Sequence, residues 1–469
     1  MGLRFKRGLR MKFSFKNIGY VDSGCIELGN LTILFGENNV GKTYLNYAIY
    51  GLLKSIKENI SFDFNNKIID NLQENGFINI SLHEINITQS LENSGYDFSK
   101  NLYRYFNTNE EFFENSSVGV SIENIDLEKI MPKKIEVKAV IGSKSQSEFI
   151  FYKEEDSDTI NITLKHNGEF KQKFPNNIIK NILNDFLTKL IVSNDDFPTP
   201  FVITSERTGI SLFYKELDVS KNLILETLTE GKEFDPFDFL TKYRSRYAQP
   251  IHDNIQVIRD YENVQKNKSF IREDKERYDS ILNTLQDIIG GSFKHSNKEV
   301  FYYPKKKKNR NKMAIPFYVA SSSIKSMFLI DLYINCIAKK SGLLIIDEPE
   351  LNLHPNNQRK IAILLAKLIN SGVKILITTH SDYLVRELNN RIMLKNLSPE
   401  TRRDIMCEYK ISEDELLDIS DVKAYGVGVE NHEITEFAIN EYGIDTKIFD
   451  TVINDANILN DKIYYSLGD

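Results

Sequence analysis

The sequence predicts an α/β fold in which helices cover both faces of a largely parallel sheet. Three segments carry this prediction: the apolar strand "NLTILFG" with a glycine-rich loop and a helical run behind it, the apolar strand "GLLIIDEPE", and the apolar strand "VKILITTH". A long amphipathic run, "NNQRKIAILLAKLINSG", separates the last two. Apolar strands that alternate with helices are typical of parallel sheets buried on both faces.

The chain has 469 residues, which is enough for two or three domains. The short alternating segments after the first helical run predict an α+β insertion, and the charged amphipathic runs that follow predict a helical subdomain. We therefore expect two lobes, divided as 1–58 for the first lobe with its glycine-rich loop, 59–199 for the insertion, 200–220 for a core strand and loop, 221–300 for the helical subdomain, 301–420 for the second lobe and 421–469 for a closing segment.

Composition excludes several classes of protein. The net charge of −6 gives no overall basic field, so any contact with nucleic acid must come from a local patch. No apolar stretch approaches the roughly 18–20 residues that span a bilayer, and we expect no membrane contact. The three cysteines, Cys25, Cys336 and Cys407, lack metal-site spacing and indicate a reducing, cytoplasmic location.

The basic start "MGLRFKRGLR" lacks the apolar run of a signal peptide. Two interpretations remain open: a flexible arm, or translation that begins at Met11 just before the first strand.

The glycine-rich loop "GENNVGKT" has the spacing of a phosphate-binding loop, with a glycine, four residues and then Gly-Lys-Thr. Glycines let backbone N–H groups surround phosphates, Lys42 reaches the β- and γ-phosphate oxygens, and the Thr43 hydroxyl binds Mg²⁺ at a helix N-terminus. The alternative is a chance glycine-rich turn, which the preceding strand and following helix disfavour. The predicted nucleotide-binding residues here are Gly36, Asn38, Asn39, Gly41, Lys42 and Thr43.

Two adjacent acids end the strand "LLIIDEPE". We predict that Asp347 holds Mg²⁺ through water and that Glu348 polarises the water that attacks the nucleotide. Acidic residues often end strands for structural reasons alone, but a chain with a phosphate-binding loop favours the functional interpretation.

His380 ends the next apolar strand, 32 residues after Glu348 along the chain. One helix and one strand separate the two residues, which is where a γ-phosphate sensor would stand. The alternative is a packing or surface histidine.

Three serines, Ser321, Ser322 and Ser323, open a helix just before the Asp-Glu strand. Serine is a good N-cap, which is the structural interpretation. The functional interpretation is that this helix N-terminus faces the γ-phosphate of an ATP held by another subunit.

In this order, these elements resemble an ATP-binding cassette (ABC) ATPase, with "LNLHP" at 351–355 as the loop that crosses the dimer interface. The resemblance implies an ABC-type P-loop ATPase head that uses ATP and Mg²⁺ between paired copies, in a homodimer or higher homo-oligomer. About 280 residues separate the phosphate loop from the serines, which is too long for a transporter cassette and fits the branch of SMC and RecF heads.

Within that branch, "SERTG" at 205–209, "EPELNLHP" and "TTHSDYLV" resemble the OLD-type ATPases of bacterial anti-phage systems such as PARIS, Septu and certain retrons. This resemblance implies a sensor or scaffold that controls a separately encoded effector, a nuclease or a toxin. The alternative is a RecF/SMC-like repair ATPase that clamps DNA. The sequence departs from the family at Ser323, where glycine is usual, and about 90 residues after His380 carry no nuclease-like acidic cluster.

Two interpretations remain open for each of two further features. Six positive charges between Lys305 and Lys312 form either a solvated hairpin tip or a contact to DNA phosphates. Arg207 either orients a partner loop or nucleotide, or pairs with an acid.

Overall fold

The computed structural model describes residues 10–123, 134–141, 147–166, 174–192, 197–214, 247–296, 299–305, 314–429, 431–445 and 447–466. The basic start at 1–10 lies outside these ranges apart from Arg10, and the basic cluster lies outside them apart from Lys305. That lysine is exposed, with its Nζ 3.8 Å from Asp287 Oδ1. In the described ranges, no helix combines the length and apolar character that crossing a membrane requires.

The strands follow the apolar and alternating segments of the sequence. In chain order they are β1 (Arg10–Ile18), β2 (Val21–Glu27), β3 (Leu31–Phe35), β4 (Phe77–Ser81), β5 (Ser117–Glu123), β6 (Ile135–Ile141), β7 (Ser147–Lys153), β8 (Thr159–His166), β9 (Pro200–Ile203), β10 (Gly291–Ser296), β11 (Glu299–Pro304), β12 (Ile315–Pro316), β13 (Leu343–Asp347), β14 (Lys374–Thr379), β15 (Val422–Val427), β16 (Ile434–Phe437), β17 (Ile439–Asn440) and β18 (Gly443–Ile444).

The α-helices of the described residues are α1 (Lys42–Asn59), α2 (Asn66–Asn75), α3 (Ile87–Lys100), α4 (Leu102–Tyr105), α5 (Asn176–Leu187), α6 (Arg207–Phe213), α7 (Gln249–Arg259), α8 (Tyr261–Val264), α9 (Phe270–Glu273), α10 (Asp279–Ile289), α11 (Ser322–Leu332), α12 (Pro355–Asn370), α13 (Asp382–Asn396), α14 (Pro399–Tyr409) and α15 (Lys447–Ser466). Short 3₁₀ segments include Glu110–Phe113 and Phe317–Val319.

By contacts the chain divides into two compact units. The first comprises Met1–Ser14, Leu52–Lys100 and Ser117–Phe197, and the second comprises Phe15–Gly51, Asn101–Ser116 and Pro198–Asp469. The segmentation given above from the sequence stays a prediction.

The first unit contains an antiparallel sheet with the strand order β4-β8-β7-β6. Burial alternates strictly along β7, so one of its faces is covered while the other is partly open. Helix α5 supplies Phe186, whose ring stacks on that of Phe151 with a centroid distance of 4.1 Å. This α+β arrangement follows from the alternating sequence segments of the region.

The second unit is built on a six-stranded sheet in the order β16-β15-β3-β14-β13-β9. Its neighbours pair in parallel except for the edge pair β15 and β16, which is antiparallel. Every residue of β3 and of β13 is buried, as the apolar runs predict for strands that are covered on both faces. The predicted α/β class is therefore confirmed.

Candidate phosphate-binding and hydrolysis site

The site lies at one edge of the six-stranded sheet, where four neighbouring parallel strands end. The strand β3 leads into the glycine-rich loop, β13 ends at Asp347, β14 ends just before His380, and β9 ends just before Thr204. Their register places Asp347 beside Thr378 and Thr379 beside Phe35. Parallel strands deliver their carboxyl ends to the same edge, so residues far apart in sequence meet here.

The backbone of the glycine-rich loop adopts conformations that few residues with a side chain tolerate. Gly36 has a φ of 154°, and a Cβ there would lie 2.3 Å from the carbonyl oxygen of Val427. Asn39 has a φ of 66°, a left-handed conformation that asparagine tolerates better than most residues. Asn38 and Asn39 are both exposed. Because α1 begins at Lys42, the free N–H groups of its first turn adjoin this loop and form a site that attracts anions.

Lys42 lies within the loop and is 6% exposed. Its Nζ donates hydrogen bonds to the carbonyl oxygens of Gly36 and Glu37 at 3.0 and 2.6 Å. Burial lowers the pKa of the Lys42 ammonium to about 8, and the negative field of Glu348 and Asp347 opposes this shift. A bound phosphate would favour the charged form. Lys42 is therefore placed to replace its hydrogen bonds to loop carbonyls with hydrogen bonds to phosphate oxygens.

Asp347 is buried and both of its carboxylate oxygens accept hydrogen bonds. The Thr43 hydroxyl donates to Oδ2 at 2.9 Å, and the Thr378 hydroxyl donates to Oδ1. Burial raises the pKa of Asp347, while these two hydroxyls act in the opposite direction. The Thr43 oxygen and the Asp347 carboxylate form an adjacent pair of hard oxygen ligands, which is the donor set that Mg²⁺ accepts together with waters and phosphate oxygens.

Glu348 projects differently from its neighbour Asp347. Its φ of 51° turns the chain out of the strand, and its side chain is 30% exposed. Oε1 lies 3.5 Å from His380 Nε2, and the hydrogen bond with His380 is the main reason that the pKa of Glu348 is lowered. The Glu348 N–H donates to the Thr378 hydroxyl at 3.0 Å, so this one hydroxyl orients both acids.

Glu350 is a site residue that the sequence analysis missed. Its Oε1 accepts hydrogen bonds from the Thr379 hydroxyl and from the His380 N–H, both at 2.8 Å. Burial raises the pKa of the Glu350 carboxyl. The residue therefore fixes the backbone from which His380 projects. The third acid in "DEPE" was the available signal, because burying several carboxylates at a strand end costs free energy unless each has partners.

Arg207 is fully buried and donates to backbone carbonyls instead of pairing with an acidic side chain, while the predicted role of orienting a partner loop or nucleotide stays a prediction. Its guanidinium donates to the carbonyl oxygens of Asp347 and Glu348 at 2.8 and 2.6 Å. It also donates to the carbonyl oxygens of Thr204 and Ser326, each at 3.2 Å. Burial lowers the pKa of Arg207 to about 10, against the fields of the nearby carboxylates. Arg207 thus links the acidic strand end to helix α11 through backbone carbonyls of its own chain.

The three serines are not joined to the phosphate-binding loop within one copy of the chain. Ser321 caps α11, because its hydroxyl accepts from the Ile324 N–H at 3.4 Å. Ser321 and Ser322 are exposed, and Ser323 is half-buried. The structural interpretation of an N-cap is thus realised, and the predicted contact to a second subunit's ATP stays a prediction.

Four features together define a P-loop ATPase. They are a glycine-rich loop that leads into a helix N-terminus, a buried lysine at their junction, a Thr–Asp pair of oxygen ligands, and a glutamate with a lowered pKa beside a histidine. The family model described as "AAA ATPase domain" matches residues 11–385 of the chain. The protein belongs to this AAA ATPase domain family, and the predictions of an ATPase and of a P-loop NTPase fold are confirmed.

Three solved structures are similar to this chain over most of its length. A crystal structure of the SmcHead bound to the C-winged helix domain of ScpA has 10% sequence identity and a TM-score of 0.34, covering 91% of this chain and 97% of that chain. An Smc head domain with an extended coiled coil, bound to the C-terminal domain of ScpA derived from Pyrococcus furiosus, has 12% identity and a TM-score of 0.32, covering 95% and 99%. The SMC head domain from Thermotoga maritima has 11% identity and a TM-score of 0.29, covering 92% and 99%. A search of curated proteins gave no match.

Proposed function

We propose that the protein is a nucleotide-driven switch in which two copies pack head to tail and enclose two ATP molecules. The observation that carries this proposal is the division of the site. Within one copy, Thr43, Asp347, Glu348 and His380 form a connected network. The exposed serines at the start of α11 form no bond to that network, so their helix N-terminus is free to face a second copy's nucleotide.

In this proposal each residue of the network has one task. The N–H groups at the start of α1 and the Lys42 ammonium bind the phosphates. Thr43 and Asp347 would hold Mg²⁺, which when bound neutralises charge on the phosphate oxygens. Glu348, whose pKa is lowered, stays ionised at neutral pH and accepts a proton from the attacking water. His380 positions the Glu348 carboxylate and would contact the terminal phosphate.

The role that we infer for this switch is the control of a separately encoded nuclease or toxin in a cytoplasmic anti-phage system. The support is the resemblance of "SERTG", "EPELNLHP" and "TTHSDYLV" to OLD-type ATPases. The first segment contributes Arg207, which donates to the Glu348 carbonyl. The other two contribute Glu350 and His380: the His380 N–H donates to Glu350, and the His380 ring contacts the Glu348 carboxylate. Closing of the paired copies would then report the nucleotide state to the effector.

A second candidate is a DNA clamp of the RecF/SMC kind. The observation that favours it is the antiparallel pairing of β11 with β12, because the lysine-rich segment connects these two strands. Salt-sensitive DNA binding that ATP stimulates, and that neutralising Lys305 and its neighbouring lysines abolishes, would support this role.

The variant Glu348→Gln tests the proposed switch. It keeps the size of the side chain and removes the acceptor of the proton, so ATP should bind without turning over and hold two copies together. Mass in solution should double when ATP and Mg²⁺ are added, and hydrolysis should fall by about 10²-fold or more. Glu400→Gln makes the same change at an exposed position of α14 and should behave like the parent. An unchanged mass together with parental turnover would refute the switch.

The same Glu348→Gln form, purified by affinity from its host with ATP and Mg²⁺, tests the biological role. A nuclease or toxin at a fixed ratio would support effector control. Chromosomal DNA and recombination proteins, without such an effector, would support the clamp and exclude our first choice.

A further inference from the structure

One side chain, that of Gln358 in the first turn of α12, joins the loop at 351–355 to the segment that carries His380. Its Nε2 donates to the Leu353 carbonyl oxygen at 2.9 Å, and its Oε1 accepts from the Ser381 hydroxyl at 2.7 Å. The two ends of the amide thus bind two different segments. No motif of the sequence points to this residue.

Glu350 closes a ring of hydrogen bonds through the same two segments. The Leu353 N–H donates to the Glu350 carbonyl oxygen at 3.0 Å, and the Glu350 carboxylate accepts from the His380 N–H at 2.8 Å. Ser381 follows His380 along the chain, and its hydroxyl leads back to Leu353 through Gln358. Each segment is therefore held at two points, which restricts their relative movement more than a single hydrogen bond would.

The Ser381 hydroxyl also has a structural task, which does not require Gln358. It accepts from the Leu384 N–H at 3.1 Å and so caps α13. An N-cap uses only the acceptor of a hydroxyl, whereas the bond to Gln358 uses its donor. The bond to Gln358 is thus additional to the cap, and it fixes the residue next to His380 relative to the loop.

The loop at 351–355 presents part of its surface to solvent. Asn352 and His354 are exposed, whereas Leu353 is 6% exposed. The Asn352 side chain donates to the Thr208 hydroxyl at 3.0 Å, so a hydrogen bond holds the exposed side of the loop as well. A contact made at this exposed side would therefore act on a loop whose buried backbone is bonded to Gln358 and Glu350.

We propose that Gln358 is a positioning residue for His380. It holds the His380 segment in register with the 351–355 loop, so that hydrolysis depends on the position that this loop takes against a second copy. The inference rests on the paired copies of the proposed function.

Two substitutions of Gln358 test the two ends of the amide. Gln358→Leu removes both hydrogen bonds, while Gln358→Glu keeps the acceptor for Ser381 and removes the donor to Leu353. Both variants should lower kcat by about 3- to 10-fold, the effect of one hydrogen bond, and leave KM near the parental value. Gln286→Leu makes the same change at an exposed position of α10 and should behave like the parent. Parental kcat in either Gln358 variant would overturn the proposal.

A double-mutant cycle with His380→Ala distinguishes positioning from general structural support. If Gln358 acts through His380, Gln358→Leu should have no further effect on hydrolysis once His380 is absent. Single-turnover release of labelled phosphate measures the slow hydrolysis expected of these variants. A further loss as large as that in the parental background would show that Gln358 acts independently of His380, against the proposal.

Mass measurements separate this inference from the proposed function. In the Glu348→Gln background, Gln358→Leu should still double in mass with ATP and Mg²⁺, because the phosphate-binding loop and the serines of α11 are unchanged. Doubling in Glu348→Gln alone, but not in the double variant, would show that Gln358 supports pairing instead of His380 and would refute the inference. No doubling in Glu348→Gln itself would refute the pairing on which the inference rests.

Discussion

The two sheets of this protein differ in what their strand ends can do. In the parallel sheet of the second unit, the neighbours β3, β14 and β13 all end at one edge, and this edge collects Lys42, Asp347, Glu348 and His380. In the antiparallel sheet of the first unit, neighbouring strands end at opposite edges, so polar residues that follow successive strands do not meet. A parallel sheet therefore brings the side chains that follow its strands together at one edge, whereas an antiparallel sheet separates them.

The first unit instead offers an apolar cavity of about 570 Å³, lined by residues such as Val137, Phe151 and Ile182. The charged residues at its wall include Asp185 and Lys189, which pair with each other at 2.7 Å and are both largely exposed. We expect ATP hydrolysis to depend on the parallel edge and to be insensitive to the antiparallel sheet, and each of the following variants tests this difference.

The largest effect should come from Lys42→Ala. The variant removes the ammonium group that would donate hydrogen bonds to the phosphate oxygens. Hydrogen bonds to charged groups contribute about 1.5–3 kcal/mol each. ATP affinity, measured by calorimetry, should fall by about 100-fold. Lys138→Ala removes an exposed lysine from β6 of the antiparallel sheet and should leave affinity at the parental level. Equal losses of ATP affinity in the two variants would show that ATP binding does not depend specifically on the parallel edge.

Thr378→Val should have the next largest effect. Valine keeps the shape of threonine but removes the hydroxyl that donates to Asp347 and accepts from the Glu348 N–H. We expect turnover to fall about tenfold and the free energy of unfolding to drop by about 1–3 kcal/mol, because a buried carboxylate oxygen loses its donor. Thr32→Val removes a buried hydroxyl of β3 that accepts from the Gly29 N–H, and is the control. Similar loss of stability in both variants, with lower turnover only in Thr378→Val, is the expected result.

The pH dependence of ATP binding should show a smaller effect. In the free protein Lys42 loses its charge as pH rises through about 8, and phosphate binding requires the charged form. The dissociation constant for ATP should therefore rise above that pH, by at most about tenfold per pH unit. Lys42→Arg keeps a charge throughout this range and should show no such rise, whatever its absolute affinity. A parental dissociation constant that stays constant across pH 8 would contradict the assigned role of Lys42.

The smallest effect on hydrolysis should come from Phe151→Ala in the antiparallel sheet. Loss of the ring that stacks on Phe186 should destabilise the first unit by about 3–5 kcal/mol in denaturant unfolding. Turnover per folded molecule should not change. A fall in turnover comparable with that of Thr378→Val would show that the antiparallel unit takes part in hydrolysis.

The sequence predicted those parts of the site that depend on spacing along the chain. The loop at 36–43 and the acids at the end of β13 each follow an apolar strand, and in a parallel sheet this order alone places them at a common edge. Arg207 and Glu350 could not be assigned in this way, because their hydrogen-bond partners lie on segments that only folding brings close. The sequence also did not predict a cavity lined by Tyr44 and Phe112, because these residues are far apart in sequence and follow no motif spacing.

Arg207 has a mechanical consequence. One planar guanidinium binds carbonyls at the ends of β9 and β13 and the Ser326 carbonyl of α11. The three segments are thereby coupled, so a displacement of α11 would act on the backbone of Asp347 and Glu348 through the Arg207 side chain. A force applied at the exposed start of that helix would therefore reach the two acids through the Arg207 guanidinium.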